Sequence, residues 1–216
     1  MHQGWLLRYN SVVYFKENGN GMVSSPSFRG TTAQQTAVIW NGININSQLN
    51  GQTDFNTLTS RDFNSIVVRS GGGSVIYGSG AIGGTIHLNN EFSFKDKFEN
   101  HLRLDFGSFS TYSANYTLTL ANEKFSADAS VSHNQSENDY EYLGYNKRNE
   151  NGQYQNTSFN WHIGYRFNSN NEVHIFSHLF DGDRHFSGTI ASDIDADSRS
   201  RPFAGSGTGE TVLANA

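Results

Sequence analysis

The sequence has no cysteine, which excludes disulfide scaffolds, thiolate zinc sites and thiol catalysis together. Proline occurs twice. Charge is sparse, at 16% of residues against 13% aromatics, a balance that argues against a disordered acidic tail. Fifteen Lys and Arg face 20 Asp and Glu, for a formal charge of −5, so there is no basic footprint for nucleic acid. No stretch approaches the roughly 18 apolar residues of a membrane-spanning helix. The apolar fraction is 35%, low for a soluble domain, while glycine reaches 22. Few apolar residues with many aromatics also suit a membrane β-barrel, in which only alternate residues need be apolar. The length of 216 residues suits one or two ordinary domains.

The ends are uninformative in a particular way. Met1 to Arg8 has no basic run, apolar core and small-residue cleavage site, so no secretory signal is read there. From Ser198 to Ala216 strand alternation is missing, and residues 191–216 are expected to be loop or disordered tail. Both ends read as cut from something longer.

Between them the rhythm changes near residue 95. The earlier part has short β-branched runs bounded by turn residues, Thr36 to Trp40, Ser65 to Val68 and Thr85 to Leu88, which predict strands. Asn41-Gly42 is a turn signal, and Thr57 to Phe63 predicts a single helical turn. This is the pattern of a small α+β domain with a mixed sheet. The later part alternates strictly. Leu102, Leu104 and Phe106 interleave with Arg103 and Asp105; Tyr112 to Leu120, Phe125 to Val131 and Phe159 to Phe167 do the same. A further run, Val173 to Phe180, has Val173, Ile175 and Leu179 opposite Phe176 and Phe180. These segments predict antiparallel strands with one apolar face. Their connections are short except for a polar stretch from His133 to Asn156, and short turns alternating with a long loop is an outer-membrane habit. A soluble β-sandwich serving as a binding or adhesion module is the alternative on pattern alone.

No residue set carries catalysis or a metal. Gly78-Ser79-Gly80-Ala81-Ile82-Gly83 fits G-x-G-x-x-G, but a strand follows where a dinucleotide site needs a helix N-terminus. These glycines are instead expected to allow close backbone packing in a loop. His174 and His178 would lie roughly 13 Å apart on a strand, too far to share a metal. Asp193-Ile194-Asp195-Ala196-Asp197 begins like a calcium loop but lacks the later Gly and Glu. G-x-S-x-G is absent. The expectation is a non-enzyme without a cofactor.

Four blocks do carry a resemblance: Phe28-Arg29-Gly30, Ala37 to Ile43, Ile66 to Gly72, and Val75 to Ile86 with Tyr77-Gly78-Ser79-Gly80-Ala81-Ile82-Gly83-Gly84. In order and spacing they resemble the plug domain of TonB-dependent outer-membrane receptors, closest in look to the vitamin B12 and siderophore branch. The resemblance implies residues 1–19 outside the family pattern, a plug over 20–95, about five strands of an incomplete transmembrane barrel with an extracellular loop over 96–190, and the tail. It implies signature structural roles for Arg29, Gly30, Gly42, Arg69, Gly71, Tyr77, Gly78, Ala81, Gly83 and Gly84. Loops 31–35 and 44–52 would face the ligand, with Thr32, Gln34, Gln35, Asn46, Gln48 and Asn50 as contacts and Tyr140, Tyr142 and Tyr145 adding stacking. Arg103, Asp105, Asn115, Asp128, Asn160, His162 and Arg166 would line the barrel interior, and the opposite faces would meet outer-membrane lipid. The family's Asp is replaced by Asn41, its acidic residue before the Arg69 strand is missing at Ser65 and Val67, and Gly72-Gly73 stands where Pro often follows. The resemblance implies energised uptake of a bulky scarce nutrient, an iron-siderophore or a corrinoid, driven by TonB. Residues 1–19 show no TonB-binding box, and the polypeptide alone is not expected to transport.

Overall fold

In the computed structural model the described residues are 11, 13–17, 23–28, 30–187, 199–200 and 203–210. They fall into two units, 1–91 and 92–216, each taken by itself below.

The first unit runs β1 (Val13–Glu17), β2 (Ser24–Phe28), β3 (Thr36–Trp40), β4 (Ile43–Asn44), β5 (Ser65–Ser70), α1 (Ser74–Tyr77) and β6 (Gly84–Asn89). A mixed sheet has the order β4-β3-β6-β5, with β3 and β6 parallel and the outer pairs antiparallel. The two central strands are buried on both parities, as strands covered on both faces are: β3 is almost wholly apolar, while β6 buries Ile86 and Leu88 on one parity and the hydrogen-bonded pair Thr85 and His87, 2.9 Å apart, on the other. Val38, Ile39, Ile86 and Leu88 are fully buried, each contributing roughly 1.5–3 kcal/mol of burial. Gly84 sits where β6 meets its neighbours: a Cβ there would lie 2.6 Å from the Arg69 carbonyl oxygen and 2.8 Å from the Phe28 ring. The glycine block is thus a close-packing device, as its sequence context implied. Two 3-10 turns, Phe55–Thr57 and Ser60–Asp62, replace the single helical turn expected near 57–63. Asp54 caps the first of these turns: its carboxylate accepts from Asn56 N and from Ser24 N, both at 3.0 Å.

β1 corrects the reading that set residues 1–19 aside. It pairs antiparallel with β2, and its inward residues Val13 and Phe15 are buried, Phe15 edge-on to Phe55 at 5.2 Å. The alternation Val-Tyr-Phe-Lys is only four residues long, too short to stand out from the sequence. Residues 1–10 lie outside the described residues.

The second unit is an antiparallel ladder of β7 (Lys97–Gly107), β8 (Thr111–Ala121), β9 (Phe125–Ser136), β10 (Tyr154–Asn168) and β11 (Asn171–His185), paired in chain order. β12 (Arg199–Ser200) and β13 (Phe203–Glu210) both pair with the far side of β11. These last strands correct the expected tail of 191–216. A backbone ladder beside an open strand edge needs N–H and C=O groups but no alternating side chains, so its Gly- and Ser-rich sequence gave no signal. Residues 188–198 and 211–216, including the acidic run at 193–197, lie outside the described residues. The strands also outlast their apolar stretches. β9 continues to Ser136 and β10 starts at Tyr154, so the long connection is 137–153 rather than the whole of 133–156.

Register sorts this sheet into rows. One face carries Phe125–Tyr165–Val173, Ala127–Ile163–Ile175, Ala129–Trp161–Ser177 and Val131–Phe159–Leu179; then come His133–Thr157–Asp181 and Gln135–Gln155–Asp183. Apolar rows thus give way to polar rows towards the long loop. On β7 and β8 the apolar run ends two rows further along, at Phe106 paired with Tyr112, which itself pairs with Gln135. A band crossing tilted strands must shift row in this manner.

Candidate functional site: a cleft and its loops in the first unit

The tight turn Asn41-Gly42, with φ of +46° and +92°, reverses β3 into β4. The chain therefore brings the segment after β4 back beside the start of β3, where the segment 30–35 also lies. The two loops singled out from sequence meet there: the Gln34 side chain is so close to Gly51 that a Cβ on Gly51 would lie 3.3 Å from its Cγ. Beside them opens a cleft of about 470 Å³, lined by Tyr14, Lys16, Val23, Ser25, Ser27, Thr31, Thr32, Ala33, Gln34 and Gln52.

The six candidate contacts have unequal roles in this geometry. Thr32 and Gln34 line the cleft and are exposed. Gln35 turns back, its Oε1 accepting from Thr32 N at 3.1 Å, which closes the 3-10 turn Ala33–Gln35. Asn46 is occupied by the fold: Oδ1 accepts from Val38 N at 2.9 Å and Thr53 Oγ1 at 3.1 Å, while Nδ2 donates to the Thr36 and Gly51 carbonyls, both at 2.9 Å. Those four bonds use the amide's usual capacity, so Asn46 builds the loop. Gln48 and Asn50 are exposed at its tip beside Leu49, and Asn50 Oδ1 accepts from Gln52 N at 3.2 Å. Sequence reasoning missed Tyr14, Lys16, Ser25 and Ser27, which come from the β1–β2 hairpin. The only available signal was the parity of β1, whose Tyr14 and Lys16 oppose the buried Val13 and Phe15.

Lys16 is the one charged side chain among the described lining residues, and the rest are hydroxyls, amides, one phenol and the small apolar Val23 and Ala33. That donor set favours a neutral or anionic solute rich in oxygen acceptors. It offers no imidazole, thiol or carboxylate to a bare metal ion, and among the described residues no group of three or more His, Cys, Asp or Glu is arranged to hold one.

Gly71, Gly83 and Gly84 gather at the end of the sheet where β3 starts, whereas Gly42 turns at the opposite end, after Trp40. Gly30, Gly42, Gly71 and Gly78 sit at positive φ, and Gly71 N donates to the Gly83 carbonyl at 3.0 Å. Gly83 lies against Thr31 too closely for any side chain. Ala81 is fully buried with Ala37 and Ile39, and Tyr77 packs on that cluster. Tyr77 also meets His87 edge-on at 5.2 Å. Burial, helped by the Arg69 charge, holds the His87 imidazole below its ordinary range. Arg69 itself is exposed on β5, and Arg29 lies outside the described residues. Asn41 exchanges hydrogen bonds with Asn90: Asn90 N donates to Asn41 Oδ1 at 2.7 Å and Asn41 Nδ2 to Asn90 Oδ1 at 3.0 Å. The neutral amide thus supplies both a donor and an acceptor where a carboxylate could only accept.

In the second unit the expected lining residues share one face. Asn115, Asn160 and His162 are buried there, Arg103 pairs with Asp105 at 2.9 Å, and Thr119 donates to Asp128 at 2.5 Å. The opposite face leaves Leu102 67% and Phe106 81% exposed, with Val131, Phe159, Tyr165 and Leu179 near two-fifths. In the loop, Tyr140 and Tyr142 pack edge-on at 5.4 Å, and Tyr142 Oη donates to Asn149 Oδ1 at 3.1 Å. Burial, reinforced by Tyr142, raises the Tyr140 hydroxyl's pKa. These two rings are thus part of the loop's own packing, and Tyr145 is the exposed member of the three.

Comparison with known proteins agrees with this anatomy. Residues 4–85 match the model of the TonB-dependent receptor plug domain, a match that begins well inside the stretch set aside from sequence. The vitamin B12 transporter BtuB of Vibrio vulnificus (strain YJ016) is 38% identical over 72 residues, covering 33% of this chain and 12% of the transporter. Among solved structures, the copper transporter OprC superposes with a TM-score of 0.73 at 17% identity, over 86% of this chain and 29% of that one. The ferripyoverdine receptor of Pseudomonas aeruginosa gives 0.62 at 13% identity, over 82% and 22%. The FrpB iron transporter of Neisseria meningitidis gives 0.66 at 18%, over 84% and 29%. The chain thus spans about an eighth of the curated relative and less than a third of these structures.

Proposed function

We propose, from the premise that this chain belongs to the TonB-dependent receptors, that it is the plug and first barrel strands of an outer-membrane receptor importing a bulky external nutrient. The receptor sits in the outer membrane and is not an enzyme. Plug and barrel correspond to 20–95 and 96–190 in the division made from sequence, with the plug extended back to β1. Uptake would be driven by TonB, which lies outside this chain.

The observation that carries the reading is the inverted second unit: buried serine, asparagine and histidine on one face, exposed leucine and phenylalanine on the other. In water such a sheet would be the wrong way round; against lipid each exposed apolar side chain is in its preferred solvent. The alternative of a soluble sandwich would need those rows covered by a second sheet.

Within the family, the cleft of the first unit favours a neutral or anionic chelate or corrinoid over a free cation, with Thr32, Gln34, Gln48 and Asn50 as contacts together with Lys16 and Tyr14. Iron-siderophores and corrinoids meet that description equally. The test is equilibrium binding by the receptor carrying this chain, with a ferric siderophore, cyanocobalamin and Cu²⁺ as separate probes. Saturable binding of either bulky ligand, weakened by Gln34→Ala, is expected; tight binding of Cu²⁺ alone would overturn the ligand assignment.

A further inference from the structure

Of the five residues before β7, Phe92 and Phe94 contact the polar face of β10 and β11. Phe92 stacks on the His174 ring at a centroid distance of 4.2 Å and lies 5.5 Å from the Phe176 ring. Its seat is Gly164 on β10, where a Cβ would come within 2.8 Å of the Phe92 ring. Two residues on, Phe94 lies under the Arg166 guanidinium, 3.9 Å from centroid to Cζ. Glu172 orders both partners: Arg166 Nε donates to it at 2.6 Å and His174 Nε2 lies 3.1 Å away. Ser93 and Lys95, on the other parity, are exposed, so the segment is an extended strip with two rings turned to the polar face.

We propose that Phe92 and Phe94 form a clasp that fixes the chain to the polar face of β10 and β11. Its purpose follows from where β7 lies. Among the described strands β7 pairs with β8 alone, and its first pair is Lys97 with Ala121. A pull on the chain ahead of it would open that ladder one pair at a time from the end. The clasp takes the load at residue 92, on two strands that are each paired on both sides, and the boundary between the two units falls at the same point, after Glu91. Displacements of the first unit therefore stop at the clasp and leave β7 in register. This goes beyond the receptor assignment and does not depend on which nutrient is carried.

Lys95 gives the readout: its side chain is exposed, but trypsin must draw several residues on either side of the scissile bond into its cleft, so the segment has to lift, and cleavage follows the population of the open form. In the full chain in detergent or bilayer, Phe92→Ala is expected to speed cleavage after Lys95 about tenfold, whereas Phe106→Ala, on the opposite face, leaves it unchanged. Gly164→Ala is expected to speed it as well, by displacing the ring, and to have no further effect once residue 92 is alanine. That non-additivity separates an unseated clasp from a damaged sheet. Unchanged cleavage in Phe92→Ala, or a Gly164→Ala effect that persists in the double variant, would overturn the proposal.

Discussion

The two units sort apolar and polar side chains in opposite senses. In the first, Val38, Ile39, Ile86 and Leu88 are fully buried and the exposed positions are mostly polar or glycine. In the second, Ser126, Ser132, Asn160 and His162 are buried while Leu104, Val131, Phe159 and Leu179 are open. Period-2 patterning states that a strand has two unlike faces; it does not state which face looks outward. What decides is the solvent, and the two halves of this chain are written for two solvents.

The largest expected effect tests the first half. Ile86→Asp places a carboxylate without a partner between two covered faces, so the first unit should lose its cooperative unfolding transition, a loss of at least about 4 kcal/mol. Ile175→Arg tests the second. In a bilayer it should cost roughly 2–4 kcal/mol, because its row is in the middle of the apolar band. On a water-exposed sheet the same change would be nearly neutral, and equilibrium unfolding in bilayers against detergent-free buffer distinguishes the two.

Smaller effects sharpen the division between loop framework and ligand contact. Asn46→Ala removes four hydrogen bonds and leaves buried backbone groups without partners, so it should cost roughly 1–3 kcal/mol in the thermal stability of the first unit. Gln48→Ala should leave stability within about 0.5 kcal/mol and change only ligand affinity. The smallest effect is a pH slope. His87 in the folded first unit binds its proton less readily than in the unfolded chain, where its pKa is near 6.5. The unfolded state therefore holds more protons as pH falls below 6.5, and stability declines there while staying level above it. His87→Gln should flatten the decline of melting temperature between about pH 6.5 and 5; an unaltered decline would mean another group is responsible.

Much of this was legible in the residues. The long alternating segments gave β7 to β11, and the glycine block with its neighbouring short runs gave the mixed sheet. What escaped had physical causes. β13 pairs with β11, and a backbone ladder needs no side-chain pattern, so its Gly- and Ser-rich stretch shows none. β1 is too short to show one. Asn46 and Gln48 look alike in a polar loop, and only the fold shows that one amide is enclosed by Val38, Thr36, Gly51 and Thr53. The clasp joins residues about seventy positions apart, and Phe92 beside Gly164 has no mark in either local sequence.

The most direct test of the central claim uses the absence of cysteine, which makes single-cysteine labels clean. A probe placed in turn along β10 from Ser158 to Tyr165, in bilayers, should respond to a lipid-dissolved quencher at Phe159, Trp161, Ile163 and Tyr165 and not at Ser158, Asn160, His162 and Gly164. That alternation is the predicted result. Quenching by a water-soluble reagent at the four apolar positions, or no alternation, would contradict the lipid-facing assignment and return the second unit to the class of soluble sheets.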